Sequence, residues 1–179
     1  MRRLRWNSKV LDIFLFGIYT YWEKLFWFFV NLFPKFIRKL FYKVIFKSFG
    51  KNVFVDEGCY FRYPWKILIG NNVTINKSCS FFPSLKDSNS QIQLEDGVIL
   101  GPNVIFFGAG QDPTNPTHLD ISSSIVIGKN TYIGGNSTIR YGVYIGENST
   151  IGAGSVVVSN LGNNSIYAGN PAKFIRKSR

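Results

Sequence analysis

Six aliphatic residues, Ile127, Ile133, Ile139, Ile145, Ile151 and Val157, follow one another at intervals of six without a miss, and glycine follows four of them, at Gly128, Gly134, Gly146 and Gly152. A step of six is neither the period of a helix nor the alternation of a plain strand. It fits a prism of short parallel strands in which each aliphatic points to the axis and the residues after it turn a corner. Three steps close a triangular coil of about eighteen residues, and stacked coils ladder like residues over like. Gly and Asn belong at such corners because they tolerate the positive φ of tight turns. Earlier blocks keep the step at Ile69, Ile75 and Phe81 and again at Ile99 and Ile105. These are out of phase with the later block, so a loop is expected between them. A Gly-rich β-sandwich would instead show alternating runs separated by hairpin signals, which an unbroken register over six steps does not. The expectation is a mainly β chain.

Composition divides the chain near residue 51. Residues 1–51 carry eleven basic and two acidic side chains, net +9, whereas residues 52–179 carry ten and eight, net +2. Gly is nearly absent before residue 50 and occurs fifteen times after it. For 179 residues, this predicts one β domain over 52–179 with an N-terminal segment, 1–51, attached. Thirty aromatic residues, 17 of them Phe, are incompatible with disorder over most of the chain. Cys59 and Cys79 form no CxxC pair, which fits a reducing compartment, and one histidine, His118, cannot build a multi-imidazole zinc site. No metal is expected. Five Asn-x-Ser/Thr triplets, starting at Asn72, Asn76, Asn136, Asn148 and Asn163, arise from the polar corner of the repeat rather than as glycosylation acceptors.

The N-terminal segment has its own pattern. Over residues 35–49, a helical reading places Lys35, Arg38, Lys39, Lys43 and Lys47 on one stripe and Phe36, Ile37, Leu40, Phe41, Val44 and Ile45 on the other side, with Pro34 in the first turn. A basic stripe beside a broad apolar face suits a helix lying in the headgroup layer of an anionic membrane. Residues 10–33 are apolar but interrupted by Asp12, Glu23, Lys24 and Asn31, which favours a surface-lying or re-entrant arrangement over a crossing. No small-residue cleavage site precedes residue 34, so no signal peptide is expected. A cap over the open end of the prism would explain the apolar face and leave the stripe unexplained. Nucleic acid is excluded as a partner because the aromatics are too contiguous to serve as base-stacking platforms. The expected address is the cytoplasmic face of the inner (plasma) membrane, with anionic lipid met by residues 10–49.

The series Ile127–Val157, the closing Ala168-Gly169-Asn170-Pro171-Ala172-Lys173 and the loop Gly110-Gln111-Asp112-Pro113-Thr114 together resemble the hexapeptide-repeat acyltransferases, within them the maltose, galactoside and exopolysaccharide O-acetyltransferases. The resemblance covers roughly residues 52–177. It implies a left-handed parallel β-helix, assembly as a homotrimer, acetyl-CoA as acyl donor in a groove between neighbouring prisms, and a sugar or glycan acceptor. In that family a loop histidine is the general base, within Gly-His-Asp-Pro-Thr; here Gln111 occupies its place, and an amide cannot accept a proton at neutral pH. Three readings remain open: His118 substitutes as base, catalysis proceeds by positioning with help from Asp112, or the chain is a non-catalytic scaffold of a membrane glycan-synthesis complex. The resemblance further assigns Asn76 and Tyr132 to acceptor binding, Gly135 and Ala153 to the pantetheine groove, and Lys173 and Arg176 to CoA phosphates. One departure is Val158-Ser159-Asn160 in place of the family's Thr-Lys-Asp. The function expected is a membrane-associated acyl-CoA-dependent O-acetyltransferase acting on a lipid-linked sugar or polysaccharide precursor.

Overall fold

The computed structural model describes residues 8–85, 87, 90–111 and 120–178. Two compact units are present, Met1–Phe41 and Tyr42–Arg179.

The second unit is a parallel β-helix. Its first coil comprises β1 (Ser48–Phe49), β2 (Phe54–Val55) and β3 (Tyr60–Phe61), and its second β4 (Ile67–Ile69), β5 (Thr74–Ile75) and β6 (Ser80–Phe82). The third coil holds β7 (Ile92–Leu94), β8 (Ile99–Leu100) and β9 (Ile105–Phe107), followed by a hairpin of β10 (Ala109–Gln111) and β11 (Asp120–Ser122). Then come β12 (Ile125–Ile127), β13 (Tyr132–Ile133) and β14 (Thr138–Arg140), and β15 (Tyr144–Ile145), β16 (Thr150–Ile151) and β17 (Val156–Val157). The chain closes with β18 (Ser165–Ala168) and β19 (Lys173–Lys177). First strands pair with first strands, second with second and third with third, giving the three faces of a prism. The first strand, β1, lies upstream of the compositional break at residue 51 and pairs with β4.

Successive second-face partners Phe54, Thr74, Ile99, Tyr132, Thr150 and Ile166 are separated by 20, 25, 33, 18 and 16 residues. The surplus over eighteen leaves from one edge, where the third strand of a coil hands over to the next: the 3-10 turn Pro64–Lys66, the segment 83–91 and the β10–β11 hairpin. Inside, Val55, Ile75, Leu100, Ile133 and Ile151 ladder on one face, and Phe61, Phe81, Phe106, Ile139 and Val157 on another, all buried. The rings of Phe61 and Phe81 lie 4.9 Å apart and those of Phe81 and Phe106 4.7 Å apart, the spacing of hydrogen-bonded strands, so the aromatic core is a continuation of the sheet geometry.

One expectation is corrected. Ile99 and Ile105 do not point inward: Ile99 is 42% exposed, Ile105 is half-buried, and Leu94, Leu100 and Phe106 fill the core. Both sets step by six, and in a strand a shift of one residue exchanges the faces.

Asn52, Asn72, Asn103, Asn130, Asn136, Asn148 and Asn164 occupy corners at φ between 51° and 59°. Their amides also ladder, Asn52 to Asn72 at 3.2 Å, Asn103 to Asn136 at 3.1 Å and Asn130 to Asn148 at 3.2 Å. At the first coil, the open end is covered by Tyr42 and Phe46, whose rings pack on Phe61 at 6.0 and 5.0 Å. At the far end β19 turns back antiparallel on β18, which interrupts parallel stacking at that edge.

In the first unit, α1 (Ser8–Leu32) is about 37 Å long, and Ile13–Leu32 is long and apolar enough to cross a membrane by length and composition. Leu11 and all of Ile13–Ile18 are exposed, so this part of the helix presents apolar surface to its surroundings. The next helix, α2, spans Lys35–Ile45, shorter than the expected 35–49, because Ser48–Phe49 is drawn into the β-helix. Arg38 departs from the expected basic stripe: it is buried, and its Nε donates to the carbonyl of Phe33 at 2.8 Å. It thus satisfies a carbonyl beyond the end of α1. Lys35, Lys39, Lys43 and Lys47 remain exposed.

Candidate active site

At the edge carrying the excursions, Gly108 donates its N–H to Phe82 O at 2.8 Å and accepts from Ser123 N–H at 3.3 Å, closing the base of the hairpin. The hairpin pairs Ala109 with Ser122, Gly110 with Ile121 and Gln111 with Asp120. Gln111 is exposed at the outer end of β10. Asp112 and His118 lie outside the described residues. Beneath the hairpin sits Tyr141, so close that a Cβ on Gly110 would come within 2.5 Å of its Cε1. The Arg140 guanidinium lies 4.4 Å from the Tyr141 ring centroid and donates through Nη2 to the Tyr141 hydroxyl at 2.7 Å. Arg140 pairs across the third face with Phe107, which stacks on Phe82 at 5.6 Å. Sequence reasoning missed Arg140 and Tyr141. The available signal is that Arg140-Tyr141-Gly142 makes a tight corner where the two preceding coils place long excursions.

Asn76, Gly135 and Ala153 share a different corner, between the second and third faces. Asn76 is half-buried, and its Nδ2 donates to Leu100 O at 2.6 Å, tying two coils together. Two roles separate among the small residues of this corner. A Cβ on Gly134 would lie 2.5 Å from Ala153 N and one on Gly152 would lie 2.8 Å from the Ala168 Cβ, so coil stacking requires both glycines. Ala153 and Gly154 face outward, and a Cβ on Gly154 would meet nothing within 4 Å. Beside this corner, Tyr132 is 43% exposed on the second face. Through the register Tyr132, Thr150, Ile166, Arg176 it shares an outward row with Arg176. Lys173, Arg176 and Lys177 are exposed on β19. A shelf without bulky side chains that ends at exposed cations fits a narrow pantetheine arm terminating in phosphates. Gln111 does not join this group, because β14 separates the two corners within one chain.

Cys59 donates through its thiol to Asn76 O at 3.2 Å and Cys79 to Gly101 O at 3.2 Å. Hydrogen bonding with Cys59 and burial push the Cys79 thiol well above the ordinary range. Among the described residues no group of three or more His, Cys, Asp or Glu is placed to hold a metal ion.

Residues 124–159 match the family of bacterial transferase hexapeptide (six repeats). A galactoside O-acetyltransferase of Escherichia coli (strain K12) is 34% identical over 147 residues, 78% of this chain and 68% of that protein. The crystal structure of a maltose O-acetyltransferase from Clostridium difficile 630 superposes with a TM-score of 0.71 at 32% identity, covering 79% of this chain and 75% of the other. A hexapeptide-repeat-containing acetyltransferase from Vibrio cholerae O1 biovar eltor, complexed with acetyl coenzyme A, superposes with a TM-score of 0.74 at 26% identity, covering 82% of this chain and 79% of the other.

Proposed function

The chain belongs to the hexapeptide-repeat acetyltransferases, left-handed parallel β-helices, and on that premise we propose that it transfers an acetyl group from acetyl-CoA to a hydroxyl of a lipid-linked sugar or polysaccharide precursor at an anionic membrane surface. The observation that carries the membrane half is the exposed apolar run of α1, Leu11 and Ile13–Ile18, in the same chain as exposed Lys35, Lys39, Lys43 and Lys47. The acceptor class follows from the sugars named for the two O-acetyltransferase relatives. Holding the catalyst at a surface raises its effective concentration near a lipid-tethered acceptor. The surface proposed is the cytoplasmic face of the inner (plasma) membrane, with the helices peripheral or re-entrant.

Acetyl-CoA supplies the activated acyl group. In this reading Ala153 leaves room for its pantetheine arm, Gly135, where a Cβ would strike Pro102 O at 2.9 Å, offers its backbone to the arm, and Lys173 and Arg176 pair with its phosphates. Tyr132 and Asn76 contribute to acceptor binding. The amide of Gln111 can donate to and accept from the acceptor's hydroxyls but cannot remove a proton. His118, the one imidazole of the chain, takes the hydroxyl proton, and Asp112, too weak a base at neutral pH, is left to assist the positioning of the substrates. Because Gln111 and Gly135 leave from different corners of one prism, a site that uses both is built between copies, which supports the homotrimer.

The test uses the full-length protein on anionic vesicles with acetyl-CoA and a lipid-linked glycan, following CoA release. The expected result is release dependent on both substrates, lowered about a hundredfold or more in His118→Ala. No release above a protein-free control, together with no CoA binding by calorimetry, would replace the enzyme by a scaffold. Full activity in His118→Ala would remove that residue from the base role and leave the transferase standing.

A further inference from the structure

The second unit carries features at its capped end that α1 does not explain. Val44 is 84% exposed, on the opposite side of the last turn of α2 from Tyr42 and Phe46, which cover the first coil. Lys43 and Lys47 flank it and are exposed. The N–H of Lys47 donates to Ile67 O at 3.2 Å, which places this basic turn next to the 3-10 turn Pro64–Lys66. From that turn Trp65 projects 48% exposed, its ring touching Tyr63 at 5.6 Å. One coil further along the same edge, Leu85 is 56% exposed. An exposed Trp among lysines and isolated aliphatics is the composition of a membrane interface, where an amphipathic ring sits at headgroup level.

Charge around the first coil is uneven. The corner between its first and second faces carries exposed Lys51, whereas at the excursion edge Arg62 is half-buried and Lys66 is buried, its Nζ held by the Asp87 carbonyl. The acids, Asp56 and exposed Glu57, stand together at the remaining corner, between the second and third faces. An anionic surface is therefore attracted to exposed Lys43, Lys47 and Lys51 and repelled at the Asp56–Glu57 corner.

We propose that Trp65, with Lys43, Val44 and Lys47, seats the first coil in the headgroup layer of an anionic bilayer, so that the prism stands on its capped end. This rests on the membrane-associated reading above and adds an orientation to it. At about 4.8 Å per coil, the Gln111 hairpin, which follows the third coil, sits about 10 Å above the first coil along the excursion edge. The acceptor class that fits is a lipid-linked saccharide whose reacting hydroxyl is on one of the first sugars beyond the headgroup, within reach without leaving the bilayer.

The test is a single-tryptophan form of the full-length chain, with Trp6, Trp22 and Trp27 changed to Phe and Trp65 kept. On vesicles containing phosphatidylglycerol, Trp65 emission shifts to the blue and is quenched by lipids brominated near the headgroup. Trp65 emission that neither shifts nor quenches while the protein still co-sediments overturns the orientation and leaves membrane association intact. Failure of the wild-type chain to co-sediment overturns both. A second measurement needs no tryptophan replacement: Lys43→Ala and Lys47→Ala each weaken partition about fivefold, and Trp65→Ala weakens it further, with CoA release on a water-soluble acceptor unchanged. Unchanged partition in all three variants overturns the footprint.

Discussion

Replacing Leu100 and Ile99 by Ala, one at a time, tests the inner register where sequence and structure part. Leu100 is fully buried between Ile75 and Ile133 of the adjoining coils. Hydrogen-bonded neighbours on both sides prevent the site from collapsing, so Leu100→Ala falls in the middle of the usual range, about 3–4 kcal/mol. Ile99 points outward and is 42% exposed. Losing three carbons that are only about half removed from water, with no cavity left behind, costs about 1 kcal/mol. The assay is urea unfolding of both variants at one protein concentration, read as a shift in midpoint at unchanged slope. If the outward face of β8 packs against a second copy, the Ile99→Ala cost will vary with protein concentration while the Leu100→Ala cost will not. Equal losses, or a larger loss at Ile99, that stay the same when protein concentration is changed would show that the register of the third coil is wrong.

Two further outcomes are expected. Arg38→Ala lowers thermal stability or helix content by releasing the carbonyl of Phe33, whereas Lys39→Ala, exposed on α2, lowers partition to anionic vesicles and leaves stability unchanged; the reverse pattern would return Arg38 to the lipid-facing stripe. In the Cys59–Cys79 pair the shared hydrogen bond, with burial, raises the Cys79 thiol and lowers the Cys59 thiol, whereas both unfolded thiols lose their protons near about pH 8.5. Because native Cys59 gives up its proton first and native Cys79 keeps its own, the pair's contribution to stability rises as pH approaches that value and declines above it by up to about 1.4 kcal/mol per unit. Unfolding midpoints of wild type and Cys79→Ser from pH 8 to 10 should diverge in slope, and parallel curves would refute the assignment.

What could be read from the sequence, and what could not, follows from how many residues each feature fixes. The six-step series from Ile127 to Val157 fixes a period over two coils, and the structure buries every member. In the third coil, Ile99-Leu100 and Ile105-Phe106 offer an apolar residue at both parities, so the period survives but its phase is undetermined. β1 is two residues long, too short to compete locally with the helical pattern that precedes it, and its pairing with β4 decides the outcome. Arg38 was misread because a helical stripe records angular position alone, whereas the carbonyl it satisfies belongs to Phe33, across the turn between the helices.

The same reasoning explains why Gln111 was placed from sequence and Tyr141 was not. Between the inward residues of one coil the spacing stays at six across two corners, as from Ile69 to Ile75 to Phe81, and breaks only at the third, before Leu94 and again before Ile127. Strands stacked at a fixed distance cannot absorb extra residues, so insertions must leave at a corner, and the intervals identify which. Gln111 lies in such an interval, and its position on the excursion edge is legible from counting. The place of the Tyr141 ring depends on what stacks above it, since only the absence of a side chain at Gly110 lets the hairpin lie against the ring. That contact joins residues on successive coils through a glycine, which no spacing along the chain records. The excursion edge can thus take up changes in chain length because the other two edges are held to the hexad, and an insertion is expected to be tolerated there and not between the isoleucines.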